Sequence, residues 1–182
     1  MMSLLIPTLE TTRLSLRQMK ETDIDEFVKV FADPKVMDSF DFASFDRQNI
    51  EQWVHRNLDR QETYGFGLFS VILKSSQLLI GDCGLEPMEI AGAQIVELGY
   101  EFSSHYWNQG YGTEAAAAVR DFAFDKLYLP ELTSLVRKDN MAAKRVSEKI
   151  GMTLRGEIIL KSKRYWQFSI RRDRLDSQGR IC

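Results

Sequence analysis

Residues 107–114 of this chain read Trp107-Asn108-Gln109-Gly110-Tyr111-Gly112-Thr113-Glu114, and the helix-forming run AAAAV follows at 115–119. Because glycine has no Cβ, the two glycines allow a ligand to approach the backbone closely. A helix that begins there presents unpaired backbone N–H groups and the positive end of its dipole to that ligand. The segment therefore predicts a loop at a helix N-terminus that binds a phosphate or a pyrophosphate.

The composition limits the class of protein. The chain has 182 residues, 44% hydrophobic and 27% charged, which is typical of one globular domain over residues 1–182. A net charge of -2 offers no basic excess for nonspecific nucleic-acid binding. The apolar run 4–6 is too short for a signal-peptide core or a membrane span. Two cysteines form no disulfide framework, and two histidines form no zinc cluster. We therefore predict a cytoplasmic domain with no metal, no nucleic-acid partner and no membrane partner.

Alternation and apolar stripes along the chain predict one strand, two helices, a three-strand meander, a helix, a strand, a helix and two final strands. The predicted strands are 11–18, 66–73, 78–85, 95–102, 132–136, 153–160 and 165–171. The predicted helices begin after Thr22 or Asp23, after Asp46, at about Thr113 and after Asp139 or Asn140. This order indicates an α+β (mixed α/β) fold with one β-α-β crossover after the glycine loop.

Two common phosphate-binding motifs do not fit the loop. A nucleotide-hydrolase P-loop needs a lysine directly after its last glycine, and here Gly112 is followed by Thr113. The dinucleotide fingerprint G-x-G-x-x-G/A is formally satisfied by Gly110, Gly112 and Ala115. That fingerprint should follow a buried strand and open the fold, whereas here a polar, aromatic loop precedes it and roughly 70 residues remain.

A third interpretation fits the surrounding sequence. The run ELGYEFSSHYWNQGYGTEA at 97–115 closely resembles the acyl-CoA-binding motif of the GNAT superfamily of N-acetyltransferases. It looks most like the branch of ribosomal-protein N-terminal acetyltransferases (RimJ/RimL-type), whose members show Glu-x-Gly-Tyr followed by Trp-x-x-Gly-Tyr-x-Thr-Glu-Ala. The segments NMAAKRVSEKIGM at 140–152 and LETTRLSLR at 9–17 also resemble this family. The resemblance covers nearly the whole chain.

The resemblance implies the GNAT fold, a central and mostly antiparallel sheet that is splayed at a parallel strand pair and flanked by helices. The strand that ends at Phe102 would diverge from the strand near 132–136, and the pantetheine arm of acetyl-CoA would lie in the gap. The arm would pair with backbone groups at Phe102, Ser103 and Ser104. The pyrophosphate would bind the backbone amides of Gln109, Gly110, Tyr111, Gly112, Thr113 and Glu114.

Two residues of the 140–152 segment are further candidates for binding acetyl-CoA. Asn140 would offer its side-chain amide to the pantetheine arm or to the leaving sulfur, but it could equally cap the helix that follows. Arg145 is a candidate ligand for a nucleotide phosphate, and its alternative is a solvated charge on the helix face. The sequence leaves both pairs of alternatives open.

The implied chemistry is direct attack of an amine on a thioester in a ternary complex. The amine must be neutral to attack, so a general base helps. The resemblance points to Glu97 as this base. Alternatively, Glu97 simply pairs with a cation on the sheet surface. Relatives place a serine where this chain has Ala143, so the proton donor to the leaving thiolate is in doubt. Ser147, one helical turn later, is our candidate, while the ring of Tyr111 is expected to pack on the helix.

We therefore predict an acetyl-CoA-dependent N-acetyltransferase whose acceptor is a primary amine, either a protein N-terminus or a small molecule. The alternative is a CoA-binding module without turnover, which only Ala143 supports. The aromatic residues Trp53, Phe40, Phe42 and Phe45 would form an acceptor wall or fill the core. Cys83 is expected in the core. The resemblance is compatible with a homodimer, and the 33–46 stretch holds no motif that identifies the acceptor.

Overall fold

Residues 6–38 and 46–174, which this computed structural model describes, form a mixed sheet with helices on both faces. The strands are β1 (Leu9–Glu10), β2 (Leu14–Gln18), β3 (Leu68–Leu73), β4 (Leu78–Ile90), β5 (Ala93–Phe102), β6 (Glu131–Arg137), β7 (Thr153–Leu160) and β8 (Lys163–Arg171). The helices are α1 (Ile24–Phe31), α2 (Pro34–Met37), α3 (Arg47–Tyr64), α4 (Tyr111–Asp125) and α5 (Met141–Lys149). The predicted order of elements is confirmed, with two short elements added before the meander, β1 and α2.

The sheet divides where β5 meets β6. Its order is β1-β2-β3-β4-β5-β6-β8-β7, and every neighbouring pair is antiparallel except β5 and β6. These two parallel strands are in register at a single residue pair, Glu97 and Thr133, whereas β4 and β5 pair along their length. The predicted mostly antiparallel sheet with a parallel pair is therefore confirmed.

Each face of the sheet packs on its own helices. A larger core cluster joins the sheet to α4, with Val119, Phe122 and Ala123 buried against strand residues such as Phe69. On the other face a second cluster joins α1 and α3, where Trp53 and Phe27 form a T-shaped pair with ring centroids 5.0 Å apart. Cys83 is buried in the larger cluster, as expected.

Several element boundaries differ from the sequence predictions. β4 continues to Ile90 and β5 begins at Ala93, because Ala91 and Gly92, both with positive φ, form a tight hairpin turn. Asp33 caps the short helix α2 by accepting from the N–H of Lys35 at 2.9 Å, so Pro34 begins a helix instead of ending one. Phe40, Phe42 and Phe45 of the predicted acceptor wall lie outside the described residues.

Among the helices of the described ranges, none combines the length and apolar character that a membrane crossing requires.

Candidate active site

The divergence of β5 from β6 opens a cleft of about 510 Å³. It brings together most of the predicted site residues, because Glu97 and Phe102 of β5 meet the start of α4 and the start of α5 there. The predicted residues that line it are Glu97, Phe102, Gly110, Tyr111, Gly112, Thr113, Asn140 and Arg145. Ser103, Ser104, Gln109, Glu114 and Ser147 lie outside this lining.

The glycine loop presents unpaired backbone donors to the cleft. Gly110 is the N-cap of α4 with a φ of 83°, in the left-handed region that favours glycine. The N–H groups of residues 110–113 make no hydrogen bond to any described part of the chain. The N–H of Glu114, in contrast, donates to the carbonyl of Gly110 at 3.0 Å. Glu114 must therefore be removed from the predicted pyrophosphate-binding amides, because its N–H closes the first turn of the helix.

Gly112 leaves room beside these donors. A Cβ added there would lie 3.7 Å from Cε2 of Phe102 and 3.8 Å from Cγ2 of Val146, which is ordinary contact distance. The fold itself therefore tolerates a side chain at this position, and the missing Cβ keeps space open for a bound molecule.

The side chain of Glu114 links the glycine loop to the N-terminal segment of the chain. Its Oε1 accepts from the Thr11 hydroxyl at 2.7 Å and from the N–H of Arg13 at 2.8 Å, and its Oε2 pairs with Nε of Arg13 at 2.7 Å. Arg13 also donates to the carbonyl of Gln109 at 2.9 Å and lies over the ring of Tyr111. Partial burial opposes ionisation, but these hydrogen bonds still hold the pKa of Glu114 below its usual value.

Glu114→Ala should lower the free energy of unfolding by about 1–3 kcal/mol, because several hydrogen bonds to a carboxylate are lost together. It should also raise the KM for acetyl-CoA, since the loop loses its support. Glu157→Ala, which removes an exposed ion pair with Lys138, is the matched control and should change stability much less, because solvent screens that pair. Urea unfolding measures the stability of both variants. Equal losses of stability in the two variants would contradict the role of Glu114 in supporting the loop.

Part of the backbone at 102–104 is engaged within the protein. The carbonyl of Phe102 accepts from the indole nitrogen of Trp107 at 2.8 Å, and the N–H of Ser103 donates to Ile80 at 2.9 Å. The Ser104 hydroxyl donates to Asp33. The Phe102 carbonyl and the Ser103 N–H are therefore already engaged within the protein. Pairing of pantetheine with the other backbone groups of Phe102, Ser103 and Ser104 stays a prediction.

The part of β5 whose edge is left open by the divergence lies nearer to Glu97 than to residues 102–104. Because the N–H of Ser103 points towards β4, alternation along the strand turns the backbone groups of Tyr100 and Leu98 towards β6. The next rung of a regular parallel ladder would join the N–H of Leu135 to the carbonyl of Leu98. Instead, the N–H of Leu135 donates to Oε1 of Glu97 at 3.3 Å. The Glu97 side chain thus replaces a ladder hydrogen bond at the point where the strands separate.

Glu97 also has unusual electrostatics. Its side chain remains partly accessible through the cleft but is closely surrounded by protein atoms. Burial, followed by repulsion from Glu86, raises the pKa of Glu97 to about 8, against the opposing effect of the Leu135 N–H. At neutral pH the carboxyl group is therefore mostly protonated, and it becomes a competent base near pH 8.

The start of α5 contributes the polar wall of the cleft. Oδ1 of Asn140 accepts from the N–H of Ala143 at 3.0 Å, so the helix-cap alternative is confirmed, while its Nδ2 can still donate into the cleft. Arg145 is exposed at the mouth and makes no ion pair within the described ranges. Lys149 lines the same wall one turn later, and the i, i+4 spacing from Arg145 could have identified it from sequence.

Ser147 of α5 and Tyr100 of β5 lie close to each other. Ser147 is 1% exposed, and its hydroxyl makes no hydrogen bond within the described ranges, although it lies close enough to Tyr100 to lower the pKa of that phenol. Tyr100 lines the cleft and donates to the carbonyl of Ala143 at 3.1 Å. Burial is the largest effect and raises the pKa of Tyr100 above its usual value, so it stays protonated. Sequence reasoning missed Tyr100.

Comparisons with known proteins agree with this geometry. The family profile described as "Acetyltransferase (GNAT) domain" matches residues 13–153. YkkB of Bacillus subtilis, described as uncharacterized, is 34% identical over 145 residues, which are 79% of this chain and 84% of that protein. A GNAT-family acetyltransferase structure from Bacillus anthracis has a TM-score of 0.79 and 24% identity, covering 92% of this chain and 99% of that one.

A structure that contains coenzyme A shares the same fold. Mycobacterium smegmatis RimJ in complex with CoA-disulfide has a TM-score of 0.78 at 15% identity, covering 91% of this chain and 85% of that one. Because the family profile spans most of the chain and the cleft has the divergent strand pair and the glycine-capped helix, the assignment rests on sequence and structure together. The chain therefore belongs to the GNAT family of acetyltransferases and is an acyltransferase.

Proposed function

We propose that this protein transfers the acetyl group of acetyl-CoA to the nitrogen of a primary amine, by direct attack in a ternary complex. One observation carries the proposal: the unbonded N–H groups of residues 110–113 and the carboxyl group of Glu97 line the same cleft. The first can hold a diphosphate and the second can accept a proton, and both functions serve this reaction.

The described residues fit acetyl-CoA in three places. The N–H groups of residues 110–113 would hold its diphosphate, with Arg145 and Lys149 as cations at the same mouth. The open edge at Leu98 and Tyr100 would pair with the amides of the pantetheine arm, as an added strand does. Nδ2 of Asn140 would donate to the arm or to the thioester.

Glu97 would act as the general base. A base with a pKa of about 8 is well matched to an α-amine, whose pKa lies near 7.7–8.0. Deprotonating such an amine at pH 7 costs about 1 kcal/mol, against about 4–5 kcal/mol for a lysine-type amine. The nitrogen then bonds to the acetyl carbon, and the C–S bond breaks to release the thiolate.

Tyr100 is the better-placed donor of the proton that the thiolate takes up. It lines the cleft and reaches the carbonyl of Ala143, the position where relatives carry a serine, whereas Ser147 is buried outside the cleft lining. Ser147 therefore remains a prediction from sequence, and Tyr100 is our proposal from the structure.

Tyr100→Phe should lower kcat by about tenfold, less than the roughly 100-fold that acid catalysis usually contributes at least, because a thiolate leaves with little help. Ser147→Ala should leave kcat within about twofold, since that hydroxyl does not line the cleft. Single-turnover rates with saturating acetyl-CoA separate this chemical step from binding. A larger loss in Ser147→Ala than in Tyr100→Phe would restore the assignment made from sequence.

The function itself is tested by measuring thiol release from acetyl-CoA with a panel of amines and of peptides with free N-termini. We expect amine-dependent release and an N-acetylated product by mass spectrometry. Calorimetric binding of acetyl-CoA without release on any acceptor would instead indicate a non-catalytic binding module. Affinity for NAD in place of acetyl-CoA would overturn the interpretation of the glycine loop.

A further inference from the structure

Two carboxyl groups lie side by side where β5 diverges from β6. Glu86 of β4 is directly opposite Glu97 of β5 in the antiparallel register, so both side chains are on the same face of the sheet. The Cβ atoms of such a pair are roughly 5 Å apart. Both residues line the cleft. Like charges in directly opposite positions destabilise a sheet, so this pair needs an explanation.

Glu86 is ion-paired through one oxygen and leaves the other oxygen available. Its Oε1 accepts from Nη1 of Arg60, which belongs to α3. Its Oε2 makes no hydrogen bond to any residue of the described ranges. The Glu86 side chain is 28% exposed, so it remains in contact with the cleft while it is paired with α3. One carboxylate oxygen is therefore available as an acceptor beside Glu97.

The neighbouring ionisable side chains that the strand register places on this face of the cleft are Asp82, Glu101, Arg137 and Tyr165. Burial, followed by repulsion from Glu101 and Glu86, raises the pKa of Asp82 well above its usual value and so favours its neutral form. Glu101 is engaged in an interaction within the protein, and Arg137 has its own carboxylate partner. Tyr165 is a phenol that is 9% exposed. Glu86 is thus the better-placed carboxylate for a cation.

An ammonium group fits the space between Glu86 and Glu97. It carries three N–H donors, so it can contact both carboxyl groups at once and relieve their repulsion. An α-amine, whose pKa lies near 7.7–8.0, is still mostly an ammonium ion at pH 7. The open edge of β5, where the pantetheine arm is proposed to lie, begins one residue after Glu97. An amine bound at this pair is therefore beside the thioester.

We infer that the acceptor amine enters the site as an ammonium ion, which Oε2 of Glu86 binds. The ammonium gives one proton to Glu97, and the neutral nitrogen forms the N–C bond to the acetyl carbon. The C–S bond breaks, and the thiolate takes up the second proton that the nitrogen loses. Glu86 is thus a substrate-binding residue that selects basic amines over neutral nucleophiles. This inference rests on the proposed acetyl transfer and specifies how its acceptor is chosen.

The first test compares glycinamide with semicarbazide, in which an N–H group replaces the CH2 group beside the amine. The two molecules have nearly the same shape, but only glycinamide is mostly an ammonium ion at pH 7. In assays of thiol release from acetyl-CoA, the KM for glycinamide should be about tenfold lower than the KM for semicarbazide. That ratio is expected for one hydrogen bond between charged groups at a partly exposed site.

The second test removes the charge of Glu86. Glu86→Gln should raise the KM for glycinamide about tenfold, while the KM values for semicarbazide and acetyl-CoA stay unchanged and kcat at pH 9 changes less than about threefold. Because Glu86 also repels the charged form of Glu97, the pH at which activity rises should move below 8, which a merely structural role would not cause. Glu86→Asp keeps the charge and should recover part of the affinity. Glu89→Gln, at an exposed position of β4, is the control and should match wild type.

The outcomes separate this inference from the proposed function. An unchanged KM for glycinamide in Glu86→Gln with native circular dichroism would overturn the inference and leave acetyl transfer intact. Equal KM values for glycinamide and semicarbazide in the wild-type protein would do the same without any substitution. Acetyl-CoA binding without thiol release on these two amines or on a peptide with a free N-terminus would refute the proposed function itself.

Discussion

Replacing Glu97 by Gln is expected to lower kcat/KM by about 100- to 1,000-fold and to remove its rise with pH around pH 8. The carboxyl group has a pKa of about 8, so the wild-type base gains activity as pH rises through that value. Glutamine accepts the same hydrogen bond from the N–H of Leu135 but cannot take a proton. The divergence of β5 from β6 should therefore survive while the chemistry is lost.

The pH profile must separate Glu97 from the acceptor amine. Two acceptors with different amine pKa values should show the same inflection near pH 8 when the profile reports Glu97, and different inflections when it reports the amine. Glu89→Gln, an exposed position further along β4, is the matched control and should behave as wild type. Full activity in Glu97→Gln would rule out the base assignment.

The same substitution should change how stability depends on pH. Glu97 has an ordinary pKa near 4.5 when unfolded and about 8 when folded, so the folded protein binds its proton more tightly. The stability that this group contributes is full below about pH 4.5 and is lost as pH rises through about 8. Glutamine does not titrate. Relative to wild type, Glu97→Gln should therefore become more stable between pH 5 and pH 9, as urea unfolding can show.

Replacing Gly112 by Val is expected to raise the dissociation constant for acetyl-CoA on the order of 100-fold, because losing even two hydrogen bonds to a diphosphate has that effect. The added side chain would meet Phe102 and Val146 at ordinary contact distance, so the fold should be retained. Its branches would occupy the space beside the unpaired N–H groups of residues 110–113.

The control for this substitution is Gly156→Val in β7. A Cβ added at Gly156 meets nothing within 4 Å, and this residue does not line the cleft. Calorimetric titration with acetyl-CoA measures both variants, and thermal unfolding confirms that both are folded. Gly112→Ala provides a smaller change at the same position and should show an intermediate loss. Wild-type affinity in Gly112→Val would mean that the diphosphate binds elsewhere.

Local sequence predicted the elements of this site well. Helix-forming residues after Gly112 and the capping pattern at Asn140 depend on contacts within one turn, and the structure places both helices where these signals indicate. Boundaries were less accurate, since β4 continues past Leu85 through a hairpin whose turn at Ala91 and Gly92 carries no strong local signal.

The predicted pairing of pantetheine with 102–104 loses two of its backbone groups for a different reason. The Phe102 carbonyl is taken by Trp107 and the Ser103 N–H by Ile80, and neither contact can be read from the residues themselves. Likewise, the helical amide of Glu114 is used within its own helix, while its carboxylate reaches Arg13 across the fold.

The sequence alone determined the order of the elements, the glycine-capped helix and the family, because these depend on local propensities and on residues that stand close together in the chain. Only the tertiary structure decided that the Glu97 side chain takes the place of a ladder hydrogen bond to Leu135 and that Tyr100 reaches Ala143. It also decided that Oδ2 of Asp82 is buried without a hydrogen-bond partner in the described ranges. Strand register and helix docking set these contacts. They are fixed by packing over the whole sheet, so no single segment specifies them.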